Sequence, residues 1–115
     1  MDSRFRGNDI YWRYMDTFTQ ISVQKAHEII ESGSVTIVDI RDADAFSQGH
    51  IPQAQNVSDA NINDFLKVTD KKTPLICCCY HGISSQRAAS FFANKGFVEV
   101  YSIDGGWEKW RAIYG

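Results

Sequence analysis

Residues 75–89 read LICCCYHGISSQRAA, and the order of chemical types in that stretch decides the architecture. Leu75, Ile76, Cys77 and Cys78 lead into Cys79 without a polar break. Such a run is too short for an ordinary helix and too continuous for a strand with one face in water, so it reads as a strand buried on both faces, as in parallel sheets. Pro74 opens it, and a tight loop at 80–84 containing Gly82 follows. Residues 85–95 then read as a helix with Ala88, Ala89, Phe91 and Phe92 toward the sheet, stopped by Gly96.

Working outward, residues 35–40 (VTIVDI) are a second β-branched apolar run of the same kind. Residues 17–21 and 97–103 read as two further strands and 54–57 as a weaker one. Between them lie helical patterns. Ser22 is placed to cap a helix carrying Val23, Ala26, His27, Ile29 and Ile30, which Gly33 stops. Residues 42–48 make a short helix closed by Gly49. Residues 61–68 make another with Ile62, Phe65 and Leu66 inward, and 107–113 close the chain after the turn Asp104-Gly105-Gly106. This alternation predicts one α/β domain of three layers, a central, mostly parallel five-stranded sheet with helices on both faces. In such sheets ligands sit beyond the carboxyl ends of the strands.

The chain has 115 residues, 43% hydrophobic and 23% charged, enough for one core and one main site. A net charge of −2 lacks the basic excess of a nucleic-acid-binding domain. The three cysteines are odd in number and contiguous, so they do not form the disulfide framework of a small secreted protein, and a reducing cytoplasm is expected. No stretch has the length of a membrane span or the apolar core of a signal peptide. Residues 1–14, with Arg4, Arg6 and Arg13, show no helical or strand period and read as an extension outside a domain covering 15–115.

The junction after Cys79 carries the chemistry. A loop entering a helix N-terminus turns unpaired N–H groups toward one point, with the positive end of the helix dipole behind them. A cysteine held there ionises more readily and becomes a nucleophile. Gly82 allows the positive φ or close approach that such a cradle requires. Strand alternation sends Cys78 to the face opposite Cys77 and Cys79, so Cys77 and Cys78 read as core filling. A metal site from Cys77, Cys79 and His81 is a weak reading, because no CxxC pair and no second ligand cluster is present.

The segment Cys79-Tyr80-His81-Gly82-Ile83-Ser84-Ser85 occurs together with VDIRD at 38–42, GHIPQA at 49–54 and YSIDGGWEKW at 101–110. In order and spacing these four motifs resemble the single-domain rhodaneses, in particular GlpE-type thiosulfate sulfurtransferases, from about Met15 onward. MDTF at 15–18 resembles the start of that type. The resemblance implies the rhodanese-like fold and a two-step reaction without a cofactor or metal. Cys79 takes the outer sulfur of thiosulfate as a persulfide and passes it to cyanide or to a thiol acceptor such as thioredoxin. Backbone N–H groups of Tyr80, His81, Gly82, Ile83, Ser84 and Ser85 are the expected substrate-binding donors. The Ser84 and Ser85 hydroxyls add to them, and His81 tunes the charge at the mouth. Arg41, at the end of the VDI strand, is expected either to attract thiosulfate or to pair with Asp39 or Asp42. Arg87 is solvated or closes the pocket rim. His50 is read as a turn residue with its ring bonded, and His27 as a helix-surface residue. Asp104, Gly105, Gly106 and Trp107 are read as turn and packing anchor only.

Three rivals stand beside this reading. Cys-based phosphatases of the same fold require an arginine six positions after the cysteine to clamp phosphate. Position 85 is serine and Arg87 comes two residues later, which disfavours them. A non-enzymatic rhodanese-like binding module commonly lacks the loop cysteine. A persulfide carrier within a larger relay would use the same residues.

Overall fold

The computed structural model describes residues 18–115; the expected extension at 1–14 lies outside them. The chain folds in the order β1 (Phe18–Ile21), α1 (Val23–Glu31), β2 (Thr36–Asp39), α2 (Ala43–Gln48), β3 (Gln55–Asn56), α3 (Ile62–Val68), β4 (Leu75–Cys78), α4 (Ser84–Asn94), β5 (Val100–Ile103) and α5 (Gly106–Ile113). The strands form one sheet in the order β1-β5-β4-β2-β3. Every pairing is parallel, as expected for strands apolar on both faces.

Two apolar clusters cover the two faces. Ile37, Ile76, Cys78 and Ile103 pack against Val23 and Ala26 of α1 and Trp110 of α5. Val38, Leu75, Cys77 and Val100 pack against Phe65 of α3 and Ala89 and Phe92 of α4. The alternation Leu75-Ile76-Cys77-Cys78 thus splits residue by residue between the two cores, as the period of two demands. Cys77 and Cys78 are both fully buried and on opposite faces.

Local signals account for the helix ends. The Ser22 hydroxyl accepts from the Lys25 N–H at 3.0 Å and starts α1. Asp42 accepts from the Ala45 N–H at 2.8 Å, so it caps α2 rather than lying within it. Two further expectations need correction. Phe91 is 40% exposed instead of facing the sheet. At 100° per residue Ser85, Ala89 and Phe92 form the inward stripe and carry Phe91 off it. The last strand is four residues long rather than seven. Phe97 lies before it and packs its ring among Phe65 and Phe92, 6.2 and 5.5 Å between centroids. On α3 Phe65 is buried and Ile62 and Leu66 pack partly buried against the same cluster, the inward face expected from the sequence.

The chain leaves the adjacent carboxyl ends of β2 and β4 in diverging directions. The Ile40 N–H donates to Cys78 O at 3.0 Å and keeps the two strand ends together. Beyond them the chain from β4 enters the loop into α4, and the chain from β2 turns into α2. A crevice opens at such a point, and Arg41 and Cys79 stand on its two sides. Among the described residues no helix is long and apolar enough to cross a membrane.

Candidate active site

Cys79 is the first residue after β4, and its main chain is fixed before its side chain is considered. The first turn of α5 donates to the loop: Trp107 N–H to Cys79 O at 2.8 Å and Glu108 N–H to Tyr80 O at 3.0 Å. These are donors that a helix start leaves without intrahelical partners. Since C=O and N–H point oppositely in a trans peptide, the N–H groups of Tyr80 and His81 face away from α5. Gly106 is what lets α5 approach. Its φ is +57°, and a Cβ there would run into Cys79 O and lie 2.7 Å from Tyr80 O. Gly82, at φ +89°, has the same role on the other side of the loop, where a Cβ would lie 2.6 Å from Gly105 N and 2.7 Å from Ile103 O.

With the loop held, Cys79 Sγ accepts from the Gly82 N–H at 3.1 Å and the Ser85 N–H at 3.2 Å. The thiol lies 3.3 Å from Ser85 Oγ, to which it donates. The N-cap position of α4, Ile83, makes no side-chain capping bond. The sulfur itself therefore caps the helix, at the end where the dipole favours negative charge. The Gln86 amide donates to Gly82 O at 3.0 Å and fixes the turn from behind.

Above the sulfur opens a cavity of about 520 Å³ lined by Arg41, Gly49, Cys79, Tyr80, Trp107 and Arg111 among others. Arg41 faces it with its charge already matched. Nε donates to both oxygens of Asp39 at 3.0 and 3.1 Å, and Nη2 donates to Asp39 Oδ2 and to Gly49 O, each at 2.7 Å. The guanidinium lies 5.1 Å from the Trp107 ring centroid. Both side chains of the pair are nearly sealed from solvent, 6% and 1% exposed. The hydrogen bonds that Arg41 donates to Asp39 push its pKa up, so the group stays charged. Asn56 of β3 donates to Asp39 O and Arg41 O at 3.0 and 2.8 Å and holds the exit of β2.

A buried cation deprived of its partner is costly, and Asp39→Ala tests that directly. The expected loss is about 3–5 kcal/mol of unfolding free energy, read from the denaturant midpoint. A change below about 1 kcal/mol would show that Arg41 finds another partner.

Of the residues expected from the sequence, Arg41, Tyr80 and Ser84 share the cavity with Cys79, while Gly82 and Ser85 hold the sulfur from beneath. His81 and Ile83 are exposed on the loop outside the cavity lining, and Arg87 is exposed on α4. The ring of donors expected from 80–85 reduces at the thiol to two backbone N–H groups. Trp107, expected only to pack, forms one wall, and Arg111 and Gly49 were not expected there. His50 is bonded through Nδ1 to Phe46 O at 2.7 Å. His27 stacks on Tyr114 at 4.2 Å. Cys77 and Cys78 are sealed, and burial pushes both thiols well above the ordinary cysteine range. Among the described residues no three His, Cys, Asp or Glu side chains converge as a metal site.

A site of one cradled sulfur, a helix N-terminus and an open cavity can carry a nucleophilic thiolate that takes and hands on a group. Comparison with known proteins agrees with that chemistry. Residues 22–113 match the family model of the rhodanese-like domain. The thiosulfate sulfurtransferase GlpE of Ectopseudomonas mendocina is 47% identical over 100 residues, 87% of this chain and 91% of that protein. The protein of the same name from Pseudomonas aeruginosa is 43% identical over 99 residues, covering 86% and 89%. Among solved structures, a rhodanese-like domain protein from Staphylococcus aureus superposes with a TM-score of 0.69 at 25% identity, over 80% of this chain and 90% of that one.

Proposed function

This chain belongs to the rhodanese-like domain family, and from that premise we propose that it is a thiosulfate sulfurtransferase of the GlpE type working through a persulfide on Cys79. The observation that carries the reading is the cradle itself: a sulfur that receives two backbone N–H groups at a helix N-terminus, open to a cavity. In the first step the Cys79 thiolate attacks the outer sulfur of thiosulfate. The sulfur–sulfur bond of thiosulfate breaks, sulfite leaves with the bonding pair, and a persulfide anion stays on Cys79. In the second step cyanide or a thiolate attacks the terminal sulfur, and the Cys79 thiolate returns as leaving group. Both steps conserve charge, so neither calls for a general base once the thiolate exists. What they call for is stabilisation of a sulfur anion, which fixed N–H dipoles supply without reorganising.

Arg111 is the cation suited to draw in a dianionic donor. It lines the cavity, and its pairing with Glu108, 3.5 Å between half-exposed groups, is weak. Arg41, engaged by Asp39 and Gly49, acts more as a rigid wall than as a ligand arm. Tyr80 and Ser84 border the entering donor, while Gly82 and Ser85 hold the sulfur. His81 and Ile83 project at the loop, where an acceptor protein such as thioredoxin would approach. The three thiols, none in a disulfide, suit a reducing cytoplasm. Ser85 stands where a phosphatase of this fold requires arginine, and its hydroxyl oxygen accepts from the Cys79 thiol.

The test is turnover. Thiosulfate and cyanide are expected to give thiocyanate and sulfite in equal amounts, with saturation in thiosulfate, while a phosphate monoester is not hydrolysed. Phosphate release without thiocyanate would overturn the reading.

A further inference from the structure

Three polar or charged residues are fully buried among those described: Asp39, Ser85 and Ser102. Asp39 is matched by Arg41. Ser85 and Ser102 are matched to each other, Oγ to Oγ at 2.8 Å. Ser102 lies on β5 opposite Cys77 in register, on the face that α4 covers, and Val100 two residues earlier packs there as an ordinary core residue. A hydroxyl at such a place costs free energy unless it is bonded, and the bond it makes leads to the reacting sulfur: Ser85 Oγ is 3.3 Å from Cys79 Sγ.

From this row of sulfur and two hydroxyls we propose that Ser102 is a positioning residue acting through Ser85, donating its proton to Ser85 Oγ so that the Ser85 hydroxyl stays aimed at the ionised Cys79 sulfur. Each of the three groups carries one proton, and a row in which each group donates to the next can run in either direction. In the thiol, S–H donates to Ser85 and Ser85 donates to Ser102. When the thiol proton leaves to water through the cavity, the sulfur only accepts. Ser85 then turns its O–H to the sulfur, and its oxygen is free to accept from Ser102. The whole row reverses with the charge. Both states keep the hydroxyl–hydroxyl bond. In the ionised state that bond belongs to a charge-polarised chain and is the stronger, so deleting Ser102 disfavours the thiolate relative to the thiol.

The inference rests on Cys79 being the nucleophile, and its test needs no thiosulfate. The rate of alkylation of Cys79 by iodoacetamide is measured against pH on the full chain, with the site of attachment mapped by peptide mass. Ser102→Ala is expected to move the midpoint upward, which lowers the rate below the midpoint about two- to ten-fold and leaves the high-pH plateau unchanged. Ser85→Ala is expected to move it at least as far, and adding Ser102→Ala to it should produce no further shift, because Ser102 acts through Ser85.

An unchanged midpoint in Ser102→Ala, or an equal shift in the Ser85→Ala background, would overturn the proposal. Should Ser102→Ala fail to fold alone, Ser102→Cys, close in size and a much weaker hydrogen-bond donor, takes its place: a raised midpoint that vanishes in the Ser85→Ala background supports the proposal, and an unchanged midpoint overturns it. An unsubstituted chain that alkylates normally at Cys79 but transfers no sulfur contradicts the sulfurtransferase reading instead.

Discussion

Replacing Cys79 by serine is expected to abolish thiocyanate formation, with a fall in kcat/KM on the order of a thousand-fold or more. Serine fits the cradle, since the same two N–H groups can bond its oxygen. The loss is therefore one of chemistry rather than of folding, and the denaturant midpoint should stay close to that of the unsubstituted chain. A hydroxyl is far weaker as a nucleophile at neutral pH and forms no persulfide. Cys77→Ser and Cys78→Ser divide the cysteine run by role. Both side chains are sealed in the two cores, so each should cost stability while leaving most of the turnover in the folded protein. Full activity in Cys79→Ser would remove the nucleophile from the account.

The second large effect is expected at Gly106→Ala. The new Cβ would meet the carbonyl oxygens of both Cys79 and Tyr80, the acceptors that fasten the loop to α5. Neither neighbour is a flexible side-chain end that could swing aside. An L-residue at φ +57° adds its own strain. The expected cost is about 2–4 kcal/mol in unfolding free energy. At temperatures where the variant is still folded, kcat/KM should fall at least about ten-fold, because an ångström of displacement in the loop misplaces the N–H donors. Near-normal activity in the folded fraction would show that α5 can retreat without disturbing the cradle.

The parts of this molecule legible in its sequence are those decided within a few neighbouring residues. LICC followed by Cys79 and a glycine-containing loop specifies a buried strand running into a helix start, and Ser22 announces the cap that it forms, whereas Asp42 is read as the first residue of its helix and is instead the cap. The alternation of Cys77 and Cys78 follows from strand geometry alone. Phe91 was misplaced because an apolar pair, Phe91-Phe92, does not say which member faces inward; the neighbouring Ala89 and Ser85 decide it.

Contacts between distant segments were less legible. Trp107 and Gly49 reach Cys79 and Arg41 only because α5 docks against the loop and the β2 exit folds over it. Arg41 offered two fates in sequence, ligand arm or ion pair, and the nearly sealed carboxylate of Asp39 decides how its hydrogen bonds are used. Ser102 did leave a trace, as a hydroxyl at the inward position of an otherwise apolar strand. Its partner Ser85, seventeen residues earlier, becomes its neighbour only when α4 lies across β5.

The central claim is that Cys79 carries sulfur covalently, and the mass of the intact chain tests it most directly. After incubation with thiosulfate and removal of small molecules, the unsubstituted chain is expected to be heavier by one sulfur atom, to map that atom to Cys79, and to lose it to dithiothreitol or cyanide. Cys79→Ser should gain nothing. An unchanged mass in the unsubstituted chain, or a sulfur atom still acquired by Cys79→Ser, would contradict the account.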